Sequence, residues 1–212
     1  MEYRKDIDGL RSLAIIPVVL FHAGFDFLSG GYVGVDIFFV ISGFLITSVI
    51  IRGLETGKFS FTHFYERRAR RLLPALFAVL TFSLIAGFFI MSPIQYRDMG
   101  TAIIATVFYL ANFLMWSRSG YFQSSSEYDP MLHMWSLSVE EQFYIFYPIL
   151  LLVIVRNLKR NPLTTIILIS AASFALAVWG VLNMPNPTFF WLPTRAWELG
   201  LGAVVALSLI HI

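Results

Sequence analysis

The chain has 212 residues, of which 58% are hydrophobic and 13% are charged, and its mean hydropathy is +0.74. Soluble domains are about half apolar and about a quarter charged, so this composition excludes a soluble globular fold and indicates a protein that lies in lipid. The basic residues do not repeat along a surface and the rest of the chain is lipid-soluble, which argues against a nucleic-acid partner. The absence of cysteine excludes disulfides, thiolate nucleophiles and cysteine metal sites.

Several stretches of the chain are apolar enough to cross a membrane, for which a helix needs about 20 residues. They are 9–28, 33–51, 72–91, 137–155, 163–183 and 189–210. The sequence therefore predicts an all-α fold, a polytopic bundle of about six spanning helices.

A further apolar stretch, 101–116, is shorter and contains Asn112. We interpret it as a re-entrant or interfacial segment, because the predicted orientation leaves both of its ends outside; a full span here would invert every later helix. The final residues, 207–212, lie in an apolar helix without a basic stop signal. The sequence thus predicts that residues 1–212 are the N-terminal part of a longer membrane domain.

The orientation follows from Lys and Arg, which are enriched in cytoplasmic loops. Basic residues open the chain and recur in 52–71 and 156–160, whereas 24–32 has none. We expect a multi-pass protein of the cell inner membrane. Its N-terminus and the 52–71 loop should face the cytoplasm, and 24–32 and 118–133 should face outward.

The first predicted helix carries two ionisable residues, Arg11 and His22. Eleven residues make about three turns, so these side chains share a helix face, about 16 Å apart along the axis. Pro17 between them can kink the helix. An ionisable residue within a membrane is a candidate functional group, although a structural histidine bonded to a neighbouring helix or to the headgroups is the alternative.

Acidic and basic residues near the ends of other predicted helices are also candidate functional groups. Asp36 either stabilises a helix N-terminus or is a partner that fixes the tautomer of His22. Glu140 and Glu141 together exceed what capping of their apolar helix requires. Arg195 and Glu198 are typical of an ion pair at a membrane boundary.

Four arginines, Arg67, Arg68, Arg70 and Arg71, fall within five positions. One interpretation is an anchor for anionic lipid. The other is a phosphate clamp, because guanidinium binds phosphate through two hydrogen bonds and residues three apart share a helix face.

These motifs together resemble acyltransferase family 3, a family of integral-membrane O-acyltransferases. The resemblance runs from residue 3 to about 206 and rests on YRKDIDGLRSLAIIPVVLFH, GGYVGVDIFFVISGFLIT, FYERRARRLLPA, HMWSLSVEEQFYIFYP and PTRAWELGLG. It implies that an acyl group, commonly acetyl, passes from cytoplasmic acyl-CoA to a sugar hydroxyl of a surface glycan. Such glycans include lipopolysaccharide O-antigen, peptidoglycan and exopolysaccharide.

The resemblance also implies site residues, with no metal among its requirements. The family's Arg-x10-His pattern falls on Arg11 and His22, and its acidic motif on Glu140 or Glu141. Its cytoplasmic Arg-x-x-Arg pattern falls on the arginine cluster, at Arg68 and Arg71 with Arg67 and Arg70 beside them. Similar members carry a C-terminal SGNH hydrolase-type domain, which is not in these 212 residues.

Three functions remain compatible with the sequence. In an acyltransferase, His22 would be a general base on a sugar hydroxyl or a nucleophile that takes the acyl group. The alternative is a proton-coupled transporter or flippase of polysaccharide precursors, because intramembrane His, Asp and Glu also suit a proton relay. The third is a non-catalytic scaffold for polysaccharide assembly. Binding of acyl-CoA would distinguish the first from the others.

Overall fold

The computed structural model describes residues 5–25, 30–118, 130–158 and 161–210. Its helices are α1 (Lys5–His22), α2 (Gly34–Glu55), α3 (Phe61–Ile90), α4 (Pro93–Val107), α5 (Ala111–Ser117), α6 (Met134–Leu152), α7 (Pro162–Asn183), α8 (Pro185–Phe190) and α9 (Leu192–Ile210). A 3-10 turn, Gly31–Val33, precedes α2, and a π-helical turn, Val153–Asn157, extends α6. The described residues contain no strand, so the predicted all-α fold is confirmed.

Four helical stretches among these residues are long and apolar enough to cross a membrane. They are Gly31–Glu55, Phe61–Ile90, Met134–Asn157 and Pro162–Asn183. The other two predicted spans are helical as α1 and α9, but α1 has charged residues in its first two turns and α9 contains Arg195 and Glu198. The chain is thus a multi-pass membrane bundle. Among the described residues, four helical stretches rather than the six predicted are both long enough and apolar enough to span.

The ambiguous stretch 101–116 is two helices rather than one. Tyr109, between α4 and α5, has a left-handed backbone conformation with φ of 55°. Helix α4 has 15 residues and α5 has seven. At about 1.5 Å per residue, neither reaches across the roughly 30 Å of a bilayer core. This break is compatible with the re-entrant interpretation, which stays a prediction.

Buried hydrogen bonds hold the break in place. Asn112 is fully buried, and its Nδ2 donates to the carbonyl oxygen of Phe190 at 3.1 Å. Gln142 of α6 donates through Nε2 to Asn112 Oδ1 at 2.9 Å and to Tyr109 O at 2.8 Å. The polar residue that made this segment ambiguous therefore fastens α5 to α6 and α8.

Helices α2 and α9 are in backbone contact at the centre of the bundle. A Cβ at Gly43 would lie 1.8 Å from the carbonyl oxygen of Leu199, and a Cβ at Gly202 would lie 1.8 Å from that of Val40. Only glycine allows this approach, which is typical of packed membrane helices. The contact brings the first turns of α2 and α9 to the same end of the bundle.

Candidate active site

Two histidines meet at that end of the bundle. His22 is the last residue of α1, His133 is the N-cap of α6, and their ring centroids are 4.1 Å apart. His22 Nδ1 lies 2.7 Å from the carbonyl oxygen of Val18. Because a carbonyl only accepts hydrogen bonds, Nδ1 carries the proton, and in the neutral ring the lone pair lies on Nε2. His22 thus has the tautomer that a base or nucleophile acting through Nε2 requires.

The predicted position of His22, deep within a helix that continues to residue 28, is wrong. Helix α1 ends at His22, whose side chain is exposed. Gly24 has φ of 81°, and the N–H groups of Gly24 and Phe25 donate to the carbonyls of Phe21 and Leu20. This Schellman pattern ends the helix at a glycine that adopts the left-handed conformation. The histidine consequently lies at the mouth of the bundle.

The sequence interpretation did not assign a role to His133. Its pKa is lowered, first because burial disfavours the charged imidazolium and second because a positive charge on His22 would lie beside it. The pair therefore favours a neutral His133 next to His22. The His-x-Trp motif before α6 was the signal in the sequence that could have drawn attention to His133. No local pattern, however, shows that His133 contacts His22, which lies 111 positions earlier in the chain.

Glu140 lies below the histidines, between α2 and α6. The hydroxyls of Ser42 and Tyr144 both donate to its Oε1 atom. Glu140 also lines a cavity of about 150 Å³ between α1, α2 and α6, and Val18 of α1 lines the same cavity. The structure therefore brings Glu140 close to the helix face below His22, and its role as a functional acid stays a prediction.

The structure separates the arginines that the sequence grouped. Arg68 turns into the bundle, where its Nε lies 2.9 and 3.1 Å from the two carboxylate oxygens of Glu141. Its guanidinium stacks on the Tyr144 ring, 3.2 Å from the centroid. Arg71 is exposed. Arg68 is thus paired with a carboxylate while Arg71 is exposed, and the phosphate clamp at these two residues stays a prediction.

The remaining members of the cluster, Arg67 and Arg70, are also exposed. Arg70 forms a surface ion pair with Glu66, four residues earlier, with 2.7 Å between Nη2 and Oε1. Such exposed pairs contribute little stability. Arg67, Arg70 and Arg71 thus remain accessible to an anionic ligand or to lipid headgroups.

Asp36 contacts Arg195, which was not predicted to be its partner. Arg195 Nη1 lies 3.0 Å from Asp36 Oδ1 and 2.7 Å from Glu198 Oε1, and Nε donates to the carbonyl oxygen of Phe189. The guanidinium carbon also lies 5.7 Å from the Trp135 ring centroid. The predicted Arg195–Glu198 pair is present, but Asp36 joins it, so this carboxylate ties α2 to α9.

Arg11 is half-buried on α1, with its guanidinium carbon 5.7 Å from the centroid of Phe38 on α2. Its Nε atom is buried and has no hydrogen-bond partner in the part of the chain that the structure describes. Within that same part, no group of three His, Asp or Glu side chains is placed to hold a metal ion.

The whole described chain is similar to known acyltransferases. The family model described as "Acyltransferase domain" matches residues 4–212. O-acetyltransferase OatA of Staphylococcus aureus is 35% identical over an alignment that covers 96% of this chain and 34% of that protein. Peptidoglycan O-acetyltransferase OatA of Listeria monocytogenes is also 35% identical, over 97% of this chain and 34% of its own length. The chain thus spans about a third of these relatives, and no solved structure matches it.

Proposed function

The chain belongs to acyltransferase family 3, and we propose that the protein containing it transfers an acetyl group to a hydroxyl of a cell-surface glycan. The relatives support acetyl as the group, because both are named O-acetyltransferases. The name of the Listeria relative favours peptidoglycan among the possible glycans. The observation that carries the proposal is the His22–His133 pair, since it provides a candidate base at one end of the bundle.

In the proposed reaction His22 is the general base. Its Nε2 accepts the proton of the sugar hydroxyl while the sugar oxygen attacks the carbonyl carbon of the acetyl donor. A new C–O bond forms, the C–S bond of a thioester donor breaks, and the proton passes to the leaving thiolate. Because His133 is neutral, only one of the two adjacent rings is charged when His22 takes the proton, and repulsion between two imidazolium ions is avoided.

We assign acetyl-CoA as the donor, bound from the cytoplasm. The support is the group of exposed arginines, Arg67, Arg70 and Arg71, near the start of α3. Guanidinium groups bind phosphate oxygens through paired hydrogen bonds, and coenzyme A carries several phosphate groups. This assignment requires the N-terminus and the 52–71 loop to be cytoplasmic in an inner membrane.

Residues 1–212 are, in this proposal, the N-terminal part of a membrane acyltransferase domain. The relatives are about three times as long as the matched region, which leaves room for more of that domain and for an SGNH-type domain after it.

Mass spectrometry of the surface glycan tests the proposal. Glycan from cells that carry the intact gene should contain acetyl esters, and these esters should be absent after deletion of the gene. If the esters persist unchanged after deletion, the proposal is wrong. A loss of glycan export without any change in its covalent structure would instead support the transporter.

A further inference from the structure

The cavity below His22 has mainly apolar walls. It has a volume of about 150 Å³, and nine residues of α1, α2 and α6 line it, among them Ile15, Val18, Phe38, Ser136 and Glu140. Only Ser136 and Glu140 of this group carry polar side chains. An apolar chain with one polar end would match such a lining.

The position of the cavity connects the two ionisable residues of α1. Val18 lines it, and the carbonyl oxygen of Val18 accepts the hydrogen bond from His22 Nδ1, so His22 lies one helical turn beyond the wall. At the other end, Phe38 lines the cavity and also contacts the guanidinium of Arg11. The cavity therefore lies along the α1 face that leads from Arg11 to His22.

Close helix packing makes one wall rigid. A Cβ at Gly34 would lie 2.2 Å from the carbonyl oxygen of Ala14 and 2.7 Å from Val18 Cγ2. Helices α1 and α2 are thus almost in backbone contact, and this wall cannot recede to admit a larger ligand. On the facing wall, Ser42 of α2 and Tyr144 of α6 both donate hydrogen bonds to the carboxylate of Glu140.

The volume indicates how much the cavity can hold. An apolar protein cavity of about 150 Å³ accommodates a benzene molecule, so this one has room for about six carbon atoms. Acyl groups of two to four carbons fit within this volume. We propose that this cavity holds the acyl group of the donor next to His22 and that Ile15 and Val18 limit that group to a short chain. This inference rests on the proposed function.

Neighbouring residues of the same types provide a matched control. The test variant is Ile15→Ala with Val18→Ala, which enlarges the cavity. The control is Ile16→Ala with Val19→Ala, since these side chains are 54% and 58% exposed and do not line the cavity. Transfer of acetyl and butyryl groups from their CoA thioesters to a soluble peptidoglycan fragment is measured with the intact protein.

We expect the parent and the control to prefer acetyl to butyryl. The test variant should raise the butyryl-to-acetyl ratio of kcat/KM by at least about 10-fold, because each methylene in an apolar pocket changes this ratio by about 10-fold or more. If the double variant does not fold, Ile15→Ala alone should shift the ratio in the same direction, since this side chain is 46% exposed and little packing is lost.

Two different failures can be distinguished. Efficient transfer by a folded test variant with an unchanged butyryl-to-acetyl ratio would overturn the acyl pocket and leave the proposed function intact. A parent protein that transfers no acyl group from either thioester would overturn the proposed reaction or its donor.

Discussion

Arg68 of α3 and Glu141 of α6 form a bidentate ion pair inside the bundle, and the guanidinium carbon of Arg68 lies over the ring of Tyr144, 3.2 Å from its centroid. The side chains of the pair are 24% and 6% exposed. Because little water reaches either side chain, each charge is stabilised mainly by the other. The pair is the main polar contact between α3 and the helix that carries Glu140. Loss of this ion pair should therefore lower the stability of the folded protein.

We predict that Arg68→Ala lowers the free energy of unfolding by about 3 kcal/mol, because removal of one partner leaves a buried, uncompensated carboxylate. Arg71→Ala, the matched control on the exposed side of α3, should change it by less than about 0.5 kcal/mol. Thermal unfolding of the purified protein in detergent measures both. Equal effects of the two substitutions would contradict the structural role of Arg68.

The exposed arginines should contribute to the affinity for acetyl-CoA rather than to the stability of the fold. We expect the triple variant with alanine at Arg67, Arg70 and Arg71 to bind acetyl-CoA more weakly, with each lost phosphate contact costing about 1 kcal/mol at these hydrated positions. Parental binding should weaken with added salt, because salt screens exposed charges. Unchanged acetyl-CoA affinity in a folded triple variant would leave lipid anchoring as the role of the cluster.

The orientation of the bundle can be tested with single cysteines, since the chain has none of its own. Ser125, in the loop predicted to face outward, lies outside the described residues. Exposed Met184, between α7 and α8, and Thr56, just after α2, are better positions. We predict that an impermeant thiol reagent labels Met184→Cys from outside intact cells and Thr56→Cys only after lysis. The reverse pattern would invert the topology and with it the assignment of a cytoplasmic donor.

The lowered pKa of His133 predicts how stability depends on pH. The folded protein binds a proton at this residue less readily than the unfolded chain, in which the pKa is near the ordinary value of 6.5. As the pH falls below about 6.5, the unfolded state therefore gains protons first and the folded protein loses stability. His133→Asn should remove this part of the acid sensitivity in pH-dependent thermal unfolding. A parent and variant with parallel stability profiles between pH 7 and pH 5 would contradict it.

Local patterns in the sequence predicted the helices well but placed one end incorrectly. Each of the six predicted spans contains a helix, because runs of about 20 apolar residues are a strong signal. The first helix was predicted to reach residue 28 since Phe25, Phe27 and Leu28 continue the apolar run. The glycine at position 24 was the local signal that the helix ends earlier. Because α1 ends at His22, this residue lies at the mouth of the bundle rather than in its interior.

Contacts between distant residues could not be predicted from single-sequence patterns. The pairing of Asp36 with Arg195 spans 159 positions, and that of Arg68 with Glu141 spans 73. In both cases each residue had a satisfactory local explanation, as a helix-end charge or as one member of a basic cluster. Packing of the helices decides which of these charges meet, and it brings Arg68 to Glu141.

Turnover of a His22→Ala variant is the sharpest test of His22 as the general base. The measurement is acetyl transfer from acetyl-CoA to a peptidoglycan fragment by the intact protein, normalised to its amount in the membrane, with His63→Ala on the exposed first turn of α3 as the control. Loss of a general base lowers the rate by about 100- to 10,000-fold, so we predict a loss of that size for His22→Ala, with normal acetyl-CoA binding and a near-parental rate for the control. A well-folded His22→Ala protein that turns over at the parental rate would contradict the account.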